Sequence, residues 1–246
     1  MRLHRALLVL TAGALAAGAC AGSAGEEPTA GLPEPPAPST TTTTVPPPPT
    51  TTTVPTPTTL FPPLPERIVA DQPWTPMVTV GGVTLVHPSA RVEHVGFHES
   101  NNDAARPLEP LPTAVDPVVL ESRERGTDPR TAADVVVDPG GEIRAPVTGT
   151  VLRAGGYTLY CDYSDDFAVI EPDTHPGWEV KILHIDGVQV ARGDRVVAGE
   201  TVVAPRPTLL PFPSQVDDLA TAKPAWPHVH IEVVDPTLPD RPGAGC

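Results

Sequence analysis

Near its C-terminal end the chain reads Pro227-His228-Val229-His230-Ile231-Glu232-Val233. In a β-strand successive side chains point to opposite faces, so His228 and His230 share one face while Val229, Ile231 and Val233 share the other. The apolar set suits a core. Two imidazoles on an exposed face serve no packing purpose, and imidazole is both the side chain that titrates nearest neutrality and the commonest metal ligand. A further histidine, His184, lies in the apolar run Val180-Lys181-Ile182-Leu183-His184-Ile185, which precedes Gly193-Asp194-Arg195-Val196-Val197-Ala198-Gly199.

These residues need strands to hold them, and the sequence supplies short ones. Val78-Thr79-Val80 and Val83-Thr84-Leu85-Val86 flank Gly81-Gly82, a two-residue hairpin signal. Further runs bounded by Gly, Pro or Asp are expected as strands at 92–98, 118–122, 135–137, 142–144, 148–153, 167–171, 179–184, 194–197, 201–203 and 228–233. The fold class expected is mainly β, an antiparallel sheet domain. One helix is expected at 214–222, with Ser214 as N-cap and Asp217 at the third helical position. The Pro-rich stretch from Ala204 to Pro227 lies just before His228, where it could roof the groove, select a substrate or remain a passive insertion.

The order Asp134, Ile143-Arg144-Ala145-Pro146-Val147-Thr148-Gly149-Thr150-Val151, His184, Gly193-Asp194-x-Val196-x-x-Gly199 and Pro227-His228-Val229-His230 resembles the LytM or lysostaphin-type zinc peptidases. The resemblance covers residues 126–235. It implies an antiparallel β fold and a zinc ion held by the His and Asp of an H-x-x-x-D motif and by the second His of H-x-H. It also implies two further histidines beside the attacking water and, as substrate, the peptide part of peptidoglycan. Carried over, Asp134 and His230 would be ligands, and His184 and His228 the catalytic pair, as general base or transition-state stabiliser. The chain departs from the pattern at Arg130, where the first histidine of H-x-x-x-D is expected. A guanidinium has no lone pair to give, and a catalytic zinc keeps three protein ligands. Arg130 could pair with Asp134 in place of a metal. Alternatively His98, in Phe97-His98-Glu99, could supply the missing ligand if its segment folds back. The motif at 145–151 is also shared with biotinyl and lipoyl carriers, but Lys181 lies between the two elements rather than after both, which rejects that role.

Three readings follow. One is a degenerate LytM-like domain that binds peptidoglycan or regulates a cell-wall hydrolase. Another is an active zinc-dependent peptidoglycan endopeptidase with an unconventional third ligand, in which a metal-activated water attacks a peptide carbonyl. The last is a purely structural envelope lipoprotein. Arg130 favours the first or third. The joint presence of Asp134, His184, His228 and His230 favours the first or second, and the first is preferred.

The rest of the chain speaks to location. Arg2 and Arg5 precede the small apolar run 6–19, which is too short to span a bilayer. It ends Ala17-Gly18-Ala19-Cys20, which resembles a bacterial lipobox and implies a cleaved signal peptide at 1–19 with Cys20 acylated. Residues 20–65 are rich in Pro and Thr and are expected to be a disordered, extended linker reaching on the order of 100 Å. The folded region is expected as a β extension at 66–125, the LytM-like domain at 126–235 and a tail at 236–246. With Cys20 lipidated, Cys161 and Cys246 form an even pair, which in an oxidising compartment invites a disulfide. The formal charge of −14 excludes nucleic acid as a partner, because phosphates need a basic patch. Membrane contact is expected through the lipid anchor only, with the domain outside the cytoplasm and facing the wall.

Overall fold

The computed structural model of the protein describes residues 65–241, which fall within a compact unit spanning 59–246. The expected signal peptide, the acylated Cys20 and Cys246 lie outside the described residues. So does the Pro/Thr linker up to residue 64. Among the described residues no helix is long and apolar enough to cross a membrane.

The chain is almost wholly strand and loop. In order it forms β1 (Ala70–Asp71), β2 (Pro76–Val80), β3 (Val83–Val86), β4 (Arg91–His98), β5 (Glu109–Pro110), β6 (Val118–Val119), β7 (Ala132–Val137) and β8 (Ile143–Arg144). There follow β9 (Gly149–Leu159), β10 (Tyr163–Pro172), β11 (Glu179–Asp186), β12 (Arg195–Val196), β13 (Val202–Ala204), β14 (Arg206–Pro207) and β15 (His228–Val234). The large sheet runs β1-β4-β7-β15-β11-β10-β9-β12, with β6 added at β4 and β14 at β11, and all its pairings but β4–β6 are antiparallel. Two small sheets, β3-β2-β5 and β13-β8, complete the fold. Residues 66–125 therefore supply β1, β4 and β6 to the same sheet that carries the C-terminal histidines.

The core face follows from alternation. Val95 and Phe97 of β4, Val135 and Val137 of β7, Val180 and Ile182 of β11, and Val229, Ile231 and Val233 of β15 are all buried in one cluster. That cluster also takes in Val78, Val83 and Leu85 from the hairpin sheet and Ile143 and Val203 from the two-stranded sheet. Each such side chain contributes roughly 1.5–3 kcal/mol relative to exposure. The hairpin turn falls on Gly81 and Gly82, both at positive φ, as expected for a primed turn.

The expected helix at 214–222 is instead a short 3-10 helix, Gln215–Leu219. The sequence explains the truncation: Pro213 and Pro224 bracket the segment, leaving too little length for a helix to gain more than it loses on nucleation. The Asp217 carboxylate still accepts a hydrogen bond from the Ser214 backbone N–H at 2.8 Å. The helix buries Val216 over Gly96 of β4, where a Cβ would lie 3.0 Å from the Val216 side chain.

Candidate metal centre

The face of the sheet opposite the core carries the polar residues. Gly96, Asp134, His230 and Leu183 lie side by side across β4, β7, β15 and β11, because Asp134 pairs with both Gly96 and His230, and His230 with Leu183. His98 is two residues beyond Gly96, and His228 two before His230, so the strand period brings both to the same face. Three of the chain's eight histidines thus gather around one aspartate.

His184 arrives by a different route. Simple alternation would turn it to the core, with Val180 and Ile182. A β-bulge intervenes: Asp166 pairs with Ile185 and Phe167 with Leu183, leaving His184 as the extra residue, at φ 63°. Ile185 takes the core position and His184 joins the polar face. A positive φ in a non-glycine residue is costly and clusters at functional sites. The bulge also anchors the segment that follows β14: Thr208 N–H donates to the His184 carbonyl at 2.9 Å, and Thr208 Oγ1 to Asp165 at 2.7 Å. From there 208–227 lies against His228, with Leu209, Leu210, Phe212 and Trp226 lining the same hollow.

The two histidines of β15 are therefore not on an exposed face. His228 is 4% exposed and Asp134 3%. Asp134 Oδ1 is 2.9 Å from His230 Nδ1 and 3.1 Å from His98 Nε2, and its Oδ2 is 3.8 Å from His228 Nε2. No Lys or Arg pairs with this carboxylate among the described residues. Arg130, in the loop before β7, does not pair with it. Its backbone N–H instead bonds Asp128, and its carbonyl accepts from Leu108 N–H.

A metal fits this arrangement. His98 Nδ1 is 2.8 Å from the Glu99 carbonyl oxygen and 3.4 Å from Arg125 Nη1; with the hydrogen on Nδ1, donated to the nearer carbonyl, Nε2 presents a lone pair toward Asp134. At 3.1 Å the two atoms are close, yet His98 Nε2 is buried and makes no hydrogen bond. In that tautomer two lone pairs face each other, an arrangement that a cation held between them would stabilise. The ligand atoms of His98, Asp134 and His230 all lie within 4.8 Å of one another, and three N/O donors are the set a catalytic zinc uses. A ligating histidine ordinarily donates its second N–H to a carbonyl or carboxylate. His98 does so to Glu99, and His230 Nε2 faces Glu232 Oε2 at 3.8 Å.

The electrostatics agree. Burial opposes charge on Asp134, but His228, His98 and His230 outweigh it and hold the carboxyl well below its usual range. Burial likewise disfavours a charged His230, but Asp134 and Glu232 raise its pKa to about 9. Burial is the main cause for His228, whose pKa falls to about 4, so that ring is neutral near pH 7. Glu232 is itself held by Lys181 at 2.8 Å and by Ser100 Oγ at 2.5 Å.

His184 has its own carboxylate. Its Nδ1 donates to Asp165 Oδ2 at 2.7 Å, and Tyr157, directly across the β9–β10 ladder, donates to the same oxygen at 2.6 Å. His184, His228, His230, His98 and Asp134 then line one cleft with Asn101, Arg123, Arg125, Tyr157 and Tyr160.

All five residues expected from the sequence, His98, Asp134, His184, His228 and His230, come together. Asp165, Glu99, Glu232, Arg123 and Arg125 were not foreseen. Only Glu232 had a local signal, the period of two in His228-x-His230-x-Glu232. Cys161, at the tip of the β9–β10 hairpin, is disulfide-bonded; its expected partner Cys246 lies outside the described residues. No family model, curated protein or solved structure matches the chain. The likeness to LytM-type peptidases rests on the motifs quoted above.

Proposed function

We propose that the chain is a zinc-dependent peptidase of the cell envelope, acting on the peptide part of peptidoglycan, with His98, Asp134 and His230 as metal ligands. The observation that carries this reading is the convergence of His98 Nε2 and His230 Nδ1 on Asp134 Oδ1. The non-catalytic reading rested on Arg130 standing where a ligand was expected, and His98 now offers the third donor from β4.

When bound, the ion would supply Lewis acidity toward a peptide carbonyl and toward water. The protein supplies the rest. His184 is oriented by Asp165, so its Nε2 faces the cleft and can take a proton from the attacking water. Asp165 stabilises the imidazolium that results. The same ring then returns the proton to the leaving amine. His228, neutral through burial, offers a hydrogen bond to the reacting group without holding a charge.

The test is zinc content of the full chain after metal loading, with cleavage of cross-linked peptidoglycan fragments as second readout. About one zinc per chain is expected. His98→Ala, Asp134→Ala and His230→Ala should each weaken binding at least 100-fold, while Arg130→Ala leaves it unchanged. Zinc binding in the wild type no better than in His230→Ala would end the proposal.

A further inference from the structure

The loop between β6 and β7 brings two guanidinium groups, Arg123 and Arg125, to the cleft that holds the metal cluster. Arg125 is half-buried; its Nη1 donates to the Glu99 carbonyl at 2.7 Å and lies 3.4 Å from His98 Nδ1. Among the described residues neither arginine forms an ion pair with a carboxylate, and the Arg123 side chain makes no hydrogen bond.

This is not for want of acids, since the chain has 30 Asp and Glu against 16 Lys and Arg. Among the described arginines Arg67, Arg91, Arg144, Arg153, Arg195, Arg206 and Arg241 pair with carboxylates, and Arg106, Arg130 and Arg192, which do not, lie outside the cleft. The nearest candidate partner, Glu99, is engaged otherwise. Its carboxylate accepts from Ser122 Oγ at 2.7 Å, from Arg125 N–H at 2.9 Å and from Arg123 N–H at 3.1 Å. Glu99 thereby fixes the loop that carries both guanidinium groups toward the cleft. Asp134 and Glu99 lie near enough to favour the charged guanidinium of Arg125, but Asp134 is engaged by the histidines and Glu99 by the loop, and the open guanidinium fork matches a further carboxylate in two parallel hydrogen bonds.

We infer that the cleft selects peptides carrying a carboxylate close to the amide presented to the metal, and that Arg125, with Arg123 at the rim, binds that carboxylate. The inference rests on the reading of the site as peptide-binding and adds the chemical class of its substrate. Arg125 is then a specificity determinant. The acid is a free C-terminus or an acidic side chain, and the probes tell these apart.

The experiment measures binding of three probes to the zinc-loaded full chain by calorimetry: acetylated Lys-D-Ala-D-Ala as free acid, its C-terminal amide, and the amide with D-Glu in place of the first D-Ala. At least one carboxylate-bearing probe should bind tenfold or more tightly than the uncharged amide. Arg125→Ala should abolish that preference, Arg125→Lys should restore part of it, and Arg123→Ala should weaken it less. Zinc content, read separately, should not change in any of them, and in cleavage the preference should appear in KM rather than kcat. A stronger response to the free acid assigns the terminal carboxylate, and one to the D-Glu amide a side-chain carboxylate. Equal binding of all three probes by wild type overturns the inference and leaves the peptidase reading standing, as does a preference that survives in Arg125→Ala and Arg125→Lys. Absence of binding by every probe, with no cleavage, removes both.

Discussion

At the scale of single residues, what distinguishes this site is how its protons are placed. His230 is held at a pKa of about 9 by the carboxylates around it, and a metal at Nδ1 must displace that proton. Zinc affinity should therefore rise as pH is raised toward 9, by about tenfold per pH step of one, and binding at pH 7 should release close to one proton. Calorimetry in buffers of different ionisation enthalpy measures that release directly. His87 offers a second case, away from the site. It is fully buried, both ring nitrogens lack partners, and burial lowers its pKa to about 4. Because the unfolded chain binds this proton near pH 6.5 and the folded one near 4, stability is unaffected above pH 6.5 and falls as pH drops from 6.5 toward 4. The loss attributable to His87 alone is about 3 kcal/mol. Denaturant unfolding of His87→Phe should show a flatter dependence over that window than wild type, and identical slopes would refute the assignment.

At the scale of elements, the bulge in β11 sets where His184 sits in the cleft. It places His184 at φ 63°, a conformation Asn tolerates and β-branched residues resist. Both His184→Asn and His184→Val remove the ring and its bond to Asp165. The Val variant should still be less stable than the Asn variant by about 1–2 kcal/mol, the cost of strain at this position. Equal melting temperatures would mean that the bulge slides to another residue. The same bulge marks how far the sequence could be read. Strand alternation alone gave the core and polar faces of β15 and located His228 and His230 on one of them. Alternation applied to β11 sends His184 to the wrong side, because a bulge has no reliable local signature outside glycine. Asp165 was illegible for a related reason: its role depends on a long β9–β10 hairpin whose expected strands stopped at 153 and began again at 167. Arg130 lies in the loop before β7, away from Asp134, whereas His98, distant along the chain, reaches that aspartate across the sheet from β4.

At the scale of the whole molecule, the segment that looked like an extension is structural. The antiparallel pairing of β4 with β7 carries His98 to within 3.1 Å of Asp134, so residues 66–125 provide both a sheet neighbour and one of the three proposed ligands. A fragment beginning at residue 126, which keeps every motif of the quoted resemblance, should neither melt cooperatively nor bind zinc above background. Cooperative unfolding of that fragment with a full zinc equivalent would show that β4 is dispensable. The formal charge of −14 belongs at this scale too. It lies largely outside the cleft, whose rim carries arginines, and salt should therefore weaken acidic-peptide binding more than it weakens folding.

The three proposed ligands stand on neighbouring strands already tied by their own backbone ladder, β4 to β7 and β7 to β15. Their separations are accordingly set by sheet spacing rather than by a loop that must close around an ion. Such a framework does not need its ion to stay folded, in contrast to small zinc modules that collapse when stripped. A chelator should strip any bound metal reversibly, cycle after cycle, and leave behind a folded protein ready to take up the ion again.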